Sequence, residues 1–342
     1  MSRTKEAGVT SGAANFARPD SAPGMRVAES ALRAPSIHNS QPWRWRVRGD
    51  RVELHADRSR QLPMADPSGR NLTISCGAAL HQAAVAAQAL GWPAEVTRVP
   101  DPRDPDHLAT LHLRSGARPP HAVADLQALQ ERRTDRRRFT SWPIPPERLA
   151  RLAASVDVDQ VRVVPVTAAP DRVRVELLVS RATTLEKADR RFATEQRSWL
   201  DHSDVDGIPR ELLPEPGSGT PSRVSRFVEE VPEEDPRGSI ENSDGLLVIS
   251  TETDGPEAWL RAGEALSELW LNAMNDGLSV VPLSQVIEVD ETRAALHHEV
   301  LGGLLHPQLL VRTGWQEISR SSLPRTPRRP LDEVLMPGSR GR

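Results

Sequence analysis

The densest run of hydrogen-bonding side chains in this sequence is Ala34-Pro35-Ser36-Ile37-His38-Asn39-Ser40-Gln41-Pro42-Trp43. Ser36, His38, Asn39 and Gln41 carry donors and acceptors at close intervals. Pro35 and Pro42 restrict the backbone that displays them. Such a loop suits a flat, polar heterocycle whose edges present hydrogen-bonding atoms. The same residues also suit a helix end that runs through a polar turn into a strand. A second concentration of chemistry is the basic run Arg132-Arg133-Thr134-Asp135-Arg136-Arg137-Arg138-Phe139. Guanidinium groups hold a phosphate dianion through paired, charge-assisted hydrogen bonds, and Thr134 adds a hydroxyl. Standing alone, that run reads first as a solvated basic helix end. A third basic segment, Thr326-Pro327-Arg328-Arg329-Pro330-Leu331, lies near the C-terminus.

Other reactive residues offer less. Cys76 lies near an expected helix start, where a thiol pKa can fall, but a buried small residue accounts for it as well. His297, His298, Glu299 and His306 hint at a metal cluster, yet no His-x-x-x-His pair exists there, so surface histidines are the expectation. The chain carries no G-x-G-x-x-G fingerprint, no Walker loop and no G-x-S-x-G elbow.

The elements that must position these residues alternate between helices and strands. Met25 to Arg33 reads as a short helix stopped by Pro35. Trp43, Trp45 and Val47 alternate with Arg44, Arg46 and Arg48, Gly49-Asp50 supplies a two-residue turn, and Val52, Leu54 and Ala56 return. That turn places Val47 opposite Val52 and Trp45 opposite Leu54. Cys76 to Leu90 is an Ala-rich helix, apolar nearly all round and therefore buried, ended by Gly91. Strands are expected at Ala94 to Val99 and Leu108 to Leu113, and helices at Ala122 to Arg132 and Glu147 to Ala154. Then follow a strand at Val161 to Val166, one long charged helix from Asp171 to Leu200, and a strand at Leu246 to Ser250. The segment from Asp201 to Ile240 is rich in Gly, Pro and acid, and too long for a plain connector. Gly263-Glu264-Ala265-Leu266 echoes Gly77-Ala78-Ala79-Leu80 186 positions on, and Gly277 ends its helix as Gly91 ends the first. The strand Ser279 to Leu283, a helix near Thr292 to Leu301 and the strand Gln308 to Arg312 complete the core. Mixed elements with an antiparallel hairpin and buried helices predict an α+β fold.

Bulk properties narrow the function classes. A chain of 342 residues can bury one large core or two modest ones. No apolar run approaches a membrane span, and the polar start shows no signal-peptide hydrophobic region. A single cysteine excludes an internal disulfide framework, which fits the cytoplasm. A net charge of −3 argues against nucleic acid as the main partner.

The Ser36 loop resembles the A-P-S-x-x-N-x-Q-P-W segment of nitroreductase-like FMN flavoproteins, and its His-Asn-Ser-Gln-Pro-Trp-Arg-Trp form is most similar to the Acg branch. The resemblance implies the nitroreductase fold, with FMN as cofactor and NAD(P)H as reductant. It implies that Ser36, His38, Asn39, Gln41 and Pro42 hold the ring and ribityl chain while Trp43, Arg44 and Trp45 wall the pocket. The basic run resembles the family's R-x-S-x-R-x-F segment but carries one extra residue, which leaves the phosphate ligand open among Arg132, Arg133 and Arg136, with Thr134 beside them. Arg328 and Arg329 match the C-terminal P-R-[RK]-P-L segment, whose cation also meets the phosphate. Pro282, Leu283 and Ser284 match a loop that passes the ring. The family layout implies two tandem related halves, 25–120 and 121–333, that mimic a dimer within a monomer. A disordered leader over 1–24, a lid-like insertion over 201–240 and a tail over 334–342 complete the expected organisation. Two functions remain open: an oxidoreductase passing hydride from NAD(P)H through flavin N5 to a nitroaromatic or quinone-like acceptor, and a lidded FMN store without turnover.

Overall fold

The computed structural model describes residues 22–136, 139–212, 240, 243–316 and 324–338. Most of the expected leader, most of the insertion at 213–239, Arg137, Arg138 and the end of the tail lie outside the described residues.

Among the described residues, two four-stranded antiparallel sheets organise the fold. After helix α1 (Pro23–Ala31), the first sheet uses β1 (Trp43–Arg48), β2 (Arg51–Ala56), β3 (Ala94–Arg98) and β4 (His107–Leu113), in the order β1-β2-β4-β3. Helix α2 (Arg70–Ala89) falls between β2 and β3 in sequence. Helices α3 (Ala122–Glu131) and α4 (Pro146–Ala154) lead to the second sheet. Its strands are β5 (Val161–Pro165), β6 (Gly245–Thr251), β7 (Leu278–Leu283) and β8 (His306–Trp315), in the order β5-β6-β8-β7. Helices α5 (Ala169–Ala188) and α6 (Arg190–Ser198) stand between β5 and β6, and α7 (Pro256–Asn275) between β6 and β7. The short helices α8 (Gln285–Glu288) and α9 (Asp290–Ala295) precede β8, and α10 (Leu331–Val334) closes the described chain. The two strand orders match place for place. Each sheet also carries a register shift at one position, Leu54/His55 in the first and Ile249/Ser250 in the second.

Alternation along β1 and β2 puts Trp43, Trp45, Val47, Val52 and Leu54 on one face, and the pairings Val47↔Val52 and Trp45↔Leu54 are those the two-residue turn requires. That face packs on Leu72, Cys76, Ala79, Leu80 and Ala83 of α2. In the same way α7 covers Leu247, Ile249, Val280 and Val311 with Leu269, Trp270 and Ala273. The other face of the second sheet is buried beneath α5, through Val175 and Val179 against Leu246, Val248 and Leu310. The other face of the first sheet is polar, carrying Arg44, Arg46, Glu53, His55 and Thr110.

Helices α2 and α7 pack on each other, and small residues permit it. A Cβ on Gly77 would overlap the Leu260 carbonyl oxygen, and one on Gly263 would overlap that of Ile74. Gly91 (φ 84°) and Gly277 (φ 74°) take the left-handed conformation that ends each helix.

Several expected boundaries move. Helix α2 starts six residues before Cys76, because the Asp66 carboxylate accepts from Asn71 N (3.1 Å) and Leu72 N (2.8 Å) and satisfies first-turn donors from outside the helix. The single helix expected from Asp171 to Leu200 is two helices. Asp189 leaves helical geometry and its side chain accepts from Arg191 N, capping α6. The helix near Thr292 to Leu301 starts at Asp290 and changes winding at Leu296. No helix among the described residues is long and apolar enough to cross a membrane.

Candidate functional site

Three of the four residues from His38 to Gln41 have positive φ: His38 47°, Asn39 56° and Gln41 50°. Side chains other than glycine enter that region at a cost, so contacts must hold the loop. Ser36 Oγ accepts from Gln41 N (2.9 Å), and Ser75 Oγ of α2 accepts from Ile37 N (3.1 Å). The two amides hold other segments. Asn39 Nδ2 donates to Gly207 O (2.9 Å) and Pro327 O (3.1 Å), and its Oδ1 accepts from Arg328 Nη1 (2.8 Å). Gln41 Nε2 donates to Val205 O (2.9 Å), while its Oε1 accepts from Arg329 N (2.8 Å). Asp206 pairs with Arg60, which also donates to Ser40 O.

Beside this loop a cleft of about 880 Å³, mouth included, opens between helix α2 and the β7–β8 edge of the second sheet. One wall is Pro35 to His38 with Asn71, Ile74 and Ser75 of α2. The other is Val281 to Gln285 with Leu266, Leu309 and Arg312, and Thr134 and Arg136 join it. The lining mixes apolar surface with a few polar groups, as in small-molecule sites. Asn71 Nδ2 donates to Glu288 Oε1 across the walls (3.1 Å). Arg312 is buried under the Phe139 ring, 4.5 Å from its centroid, with Asp244 Oδ2 at 3.4 Å. Below the α2 wall, burial pushes the Asp66 carboxyl up to about 6, against the lowering effect of the Leu72 and Asn71 amides.

Next in sequence to Pro35 and Thr134 of the cleft lining, guanidiniums gather around the Arg33 and Ala34 carbonyls. Arg328 Nη2 donates to Arg33 O and Ala34 O (both 3.3 Å), and Arg132 Nη2 donates to Arg33 O (2.7 Å). Arg132 is buried and lies over the Trp270 ring, 4.6 Å from its centroid. Arg132 Nε, Arg132 Nη1 and Arg328 Nε meet no hydrogen-bond acceptor among the described residues. Burial, then Arg33, brings the Arg132 pKa down to about 9; burial, then Arg132 and Arg33, holds Arg328 well below its ordinary value. Positive charge without an acid partner is costly in such a place, and an anion there removes the cost.

Along 326 residues, 93% of this chain and 92% of the relative, the sequence is 38% identical to the "Putative NAD(P)H nitroreductase Rv3131" of Mycobacterium tuberculosis strain H37Rv. It is 33% identical over 318 residues, 90% of this chain and 94% of the relative, to the "Putative NAD(P)H nitroreductase acg" of the same strain. The chain belongs to this Acg-type nitroreductase family. No family model matches it. A solved nitroreductase with bound FMN from Bacteroides fragilis NCTC 9343 overlays 59% of this nitroreductase-family chain and 92% of its own, at 15% identity and a TM-score of 0.39.

The residues singled out in the sequence divide into groups. Ser36, His38, Thr134, Arg136, Pro282, Leu283 and Ser284 line the cleft. Arg133 is half-buried between Arg132 and Thr134. Asn39 and Gln41 turn away from the cleft and tie down the segments at 205–207 and 327–329. Trp43 and Trp45 are wholly buried in the first sheet's core, because strand alternation points them at α2. Arg44 therefore points to the opposite face, paired with His55, away from the cleft. Pro42 offers its carbonyl to Asp57 N (2.9 Å) and Cys76 Sγ (3.2 Å). The Cys76 thiol is enclosed and burial drives its pKa up, so it is inert. Arg329 turns its side chain to Glu333 and Asp57 instead of joining Arg328. Sequence reasoning missed Arg33, Asn71, Ser75 and Arg312, while Gln285, read as the end of the Pro282 loop, does line the cleft. Asn71 and Ser75 had a signal, being polar residues one turn apart on an apolar helix; so did Arg312, a charge directly after the apolar run Leu309 to Val311 of one strand.

Proposed function

We propose that this chain is an FMN-binding oxidoreductase of the nitroreductase type, with one composite site built by two related halves of a monomer. When bound, FMN would supply hydride transfer at N5 from NAD(P)H to a nitroaromatic or quinone-like acceptor. The observation that carries the reading is the cluster of Arg132 and Arg328 around the Arg33 and Ala34 carbonyls, next in sequence to Pro35 and Thr134 of the cleft lining. The orphaned guanidinium nitrogens fit a phosphate dianion, and the cleft beside them fits a flat heterocycle. Ser36, His38, Thr134 and Arg136 would meet polar edges of the ring system and its chain, and Pro282 to Ser284 would bound its other side. Asn39 and Gln41 would act as positioning residues that fix the strained loop. The matching strand orders and the helix pair meeting at Gly77 and Gly263 support descent of 25–120 and 121–333 from one ancestral unit.

A second reading, an FMN store without turnover, is favoured by the ties from Asn39 and Gln41 to Gly207 and Val205, which hold part of the 201–240 insertion against the ring-binding loop. Anaerobic mixing of the flavin-loaded protein with NADH and then NADPH separates the two. Rapid bleaching of the flavin band supports the oxidoreductase. A bound flavin that stays oxidised with both reductants supports the store.

A further inference from the structure

The polar face of the first sheet holds a group of side chains that the cleft does not use. Glu53 and His55 are two residues apart on β2, so both project from the same face. The register shift between Leu54 and His55 brings His107 of β4 directly opposite His55. The two imidazoles stack with centroids 4.5 Å apart and planes 15° apart. One ligand atom from each of Glu53, His55 and His107 lies within 4.8 Å of the others, and no other group of His, Cys, Asp or Glu among the described residues meets that spacing. Glu53 and His55 are buried, while His107 is half-exposed and leaves a way in.

We propose that Glu53, His55 and His107 form a site for a divalent first-row cation such as Zn²⁺. Two imidazole nitrogens and a carboxylate oxygen are the donor set such ions take, with bonds of about 2.0–2.2 Å. The present contact between His55 Nε2 and Glu53 Oε2, 3.4 Å, is longer than a good hydrogen bond. An ion between these groups replaces that slack contact with bonds, and small side-chain rotations bring the three donors to its radius. The surroundings support the ligands. Arg46 Nη1 holds Glu53 Oε2 at 3.1 Å, and Thr110 Oγ1 meets His107 Nε2 at 2.9 Å. Arg46 and Arg51, 3.1 and 3.8 Å from the Glu53 carboxylate, place positive charge beside the ion, so binding is weaker than that of a structural zinc. The His297 and His306 pair, stacked at 5.2 Å, completes no group of three ligand atoms within 4.8 Å of one another among the described residues.

Calorimetric titration of chelator-treated full-length protein with ZnCl₂ tests the site. One Zn²⁺ per chain is expected. His107→Ala, at the half-exposed ligand, weakens binding at least about tenfold, and Glu53→Gln does the same. His112→Ala, on the same strand but outside the group, and His306→Ala leave it unchanged. Absence of saturable binding overturns the proposal. So does binding that survives His107→Ala, or that disappears with His306→Ala.

Discussion

Gly77 and Gly263 lie against each other where α2 crosses α7, so closely that a Cβ built on either would come within about 3 Å of the other's Cα. One turn further on, His81 Nδ1 meets Ser267 Oγ at 3.0 Å, and those residues are also 186 positions apart. The residues that echo each other along the two Ala-rich helices are therefore in contact.

Gly263→Ala destabilises the fold by about 3 kcal/mol, because the added methyl meets backbone atoms that cannot rotate away. Urea unfolding monitored by circular dichroism reads this as a lower midpoint at unchanged slope. A midpoint equal to that of the parent protein means the helices are not held at this distance.

Most of the architecture is legible in the residues themselves. Trp-x-Trp-x-Val followed by Gly-Asp fixes the first hairpin and its register, and the alanines and glycines of α2 announce a buried helix that another approaches. What escapes is set by contacts between distant residues. Asp66 starts α2 from a loop, so helix periodicity gives no sign of that start. Asn39 and Gln41 have the amides a ring would need, but amide spacing carries no direction, and both point at segments more than 160 positions away. The pair Arg328-Arg329 reads as two equal cations. Glu333, one turn on, claims Arg329, while Asn39 and the Arg33 and Ala34 carbonyls claim Arg328.

Arg328→Gln weakens FMN binding roughly ten- to hundredfold, the worth of one or two charge-assisted hydrogen bonds. The flavin-free protein loses less, because relief of repulsion with Arg132 and Arg33 offsets part of the hydrogen bonds given up at Asn39, Arg33 and Ala34. Fluorescence titration with FMN and urea unfolding of the flavin-free form, run side by side, check the contrast. Equal losses in both make Arg328 a structural residue only.

Gln41→Ala removes the partners of Val205 O and Arg329 N together, at a cost of about 2 kcal/mol. Release of these ties shows as faster limited proteolysis within 201–212, read by mass spectrometry, with unchanged far-ultraviolet circular dichroism. Cleavage at the parent rate means that Gln41 does not hold the segment.

Asp66 makes stability depend on pH in the direction opposite to a salt-bridged carboxylate. Its folded pKa, about 6, stands above the ordinary 3.8. The stabilising contribution is thus complete below pH 3.8 and is lost as pH rises through 6. A shift of that size is on the order of 3 kcal/mol. Asp66→Asn, which keeps an acceptor for the α2 amides, flattens the change in urea midpoint between pH 4.5 and 7, where the titration of about 6 has its effect. An unaltered pH profile in the variant assigns the dependence to another group.

Reconstitution with FMN, followed by gel filtration and measurement of the flavin-to-protein ratio, bears most directly on the site. One FMN per chain is expected, and it is lost when Arg132 and Arg328 are both replaced by glutamine while the double variant still unfolds cooperatively. A parent protein that retains no flavin, or a double variant that retains it at full stoichiometry, contradicts the assignment of this cleft and its neighbouring guanidiniums as the FMN site.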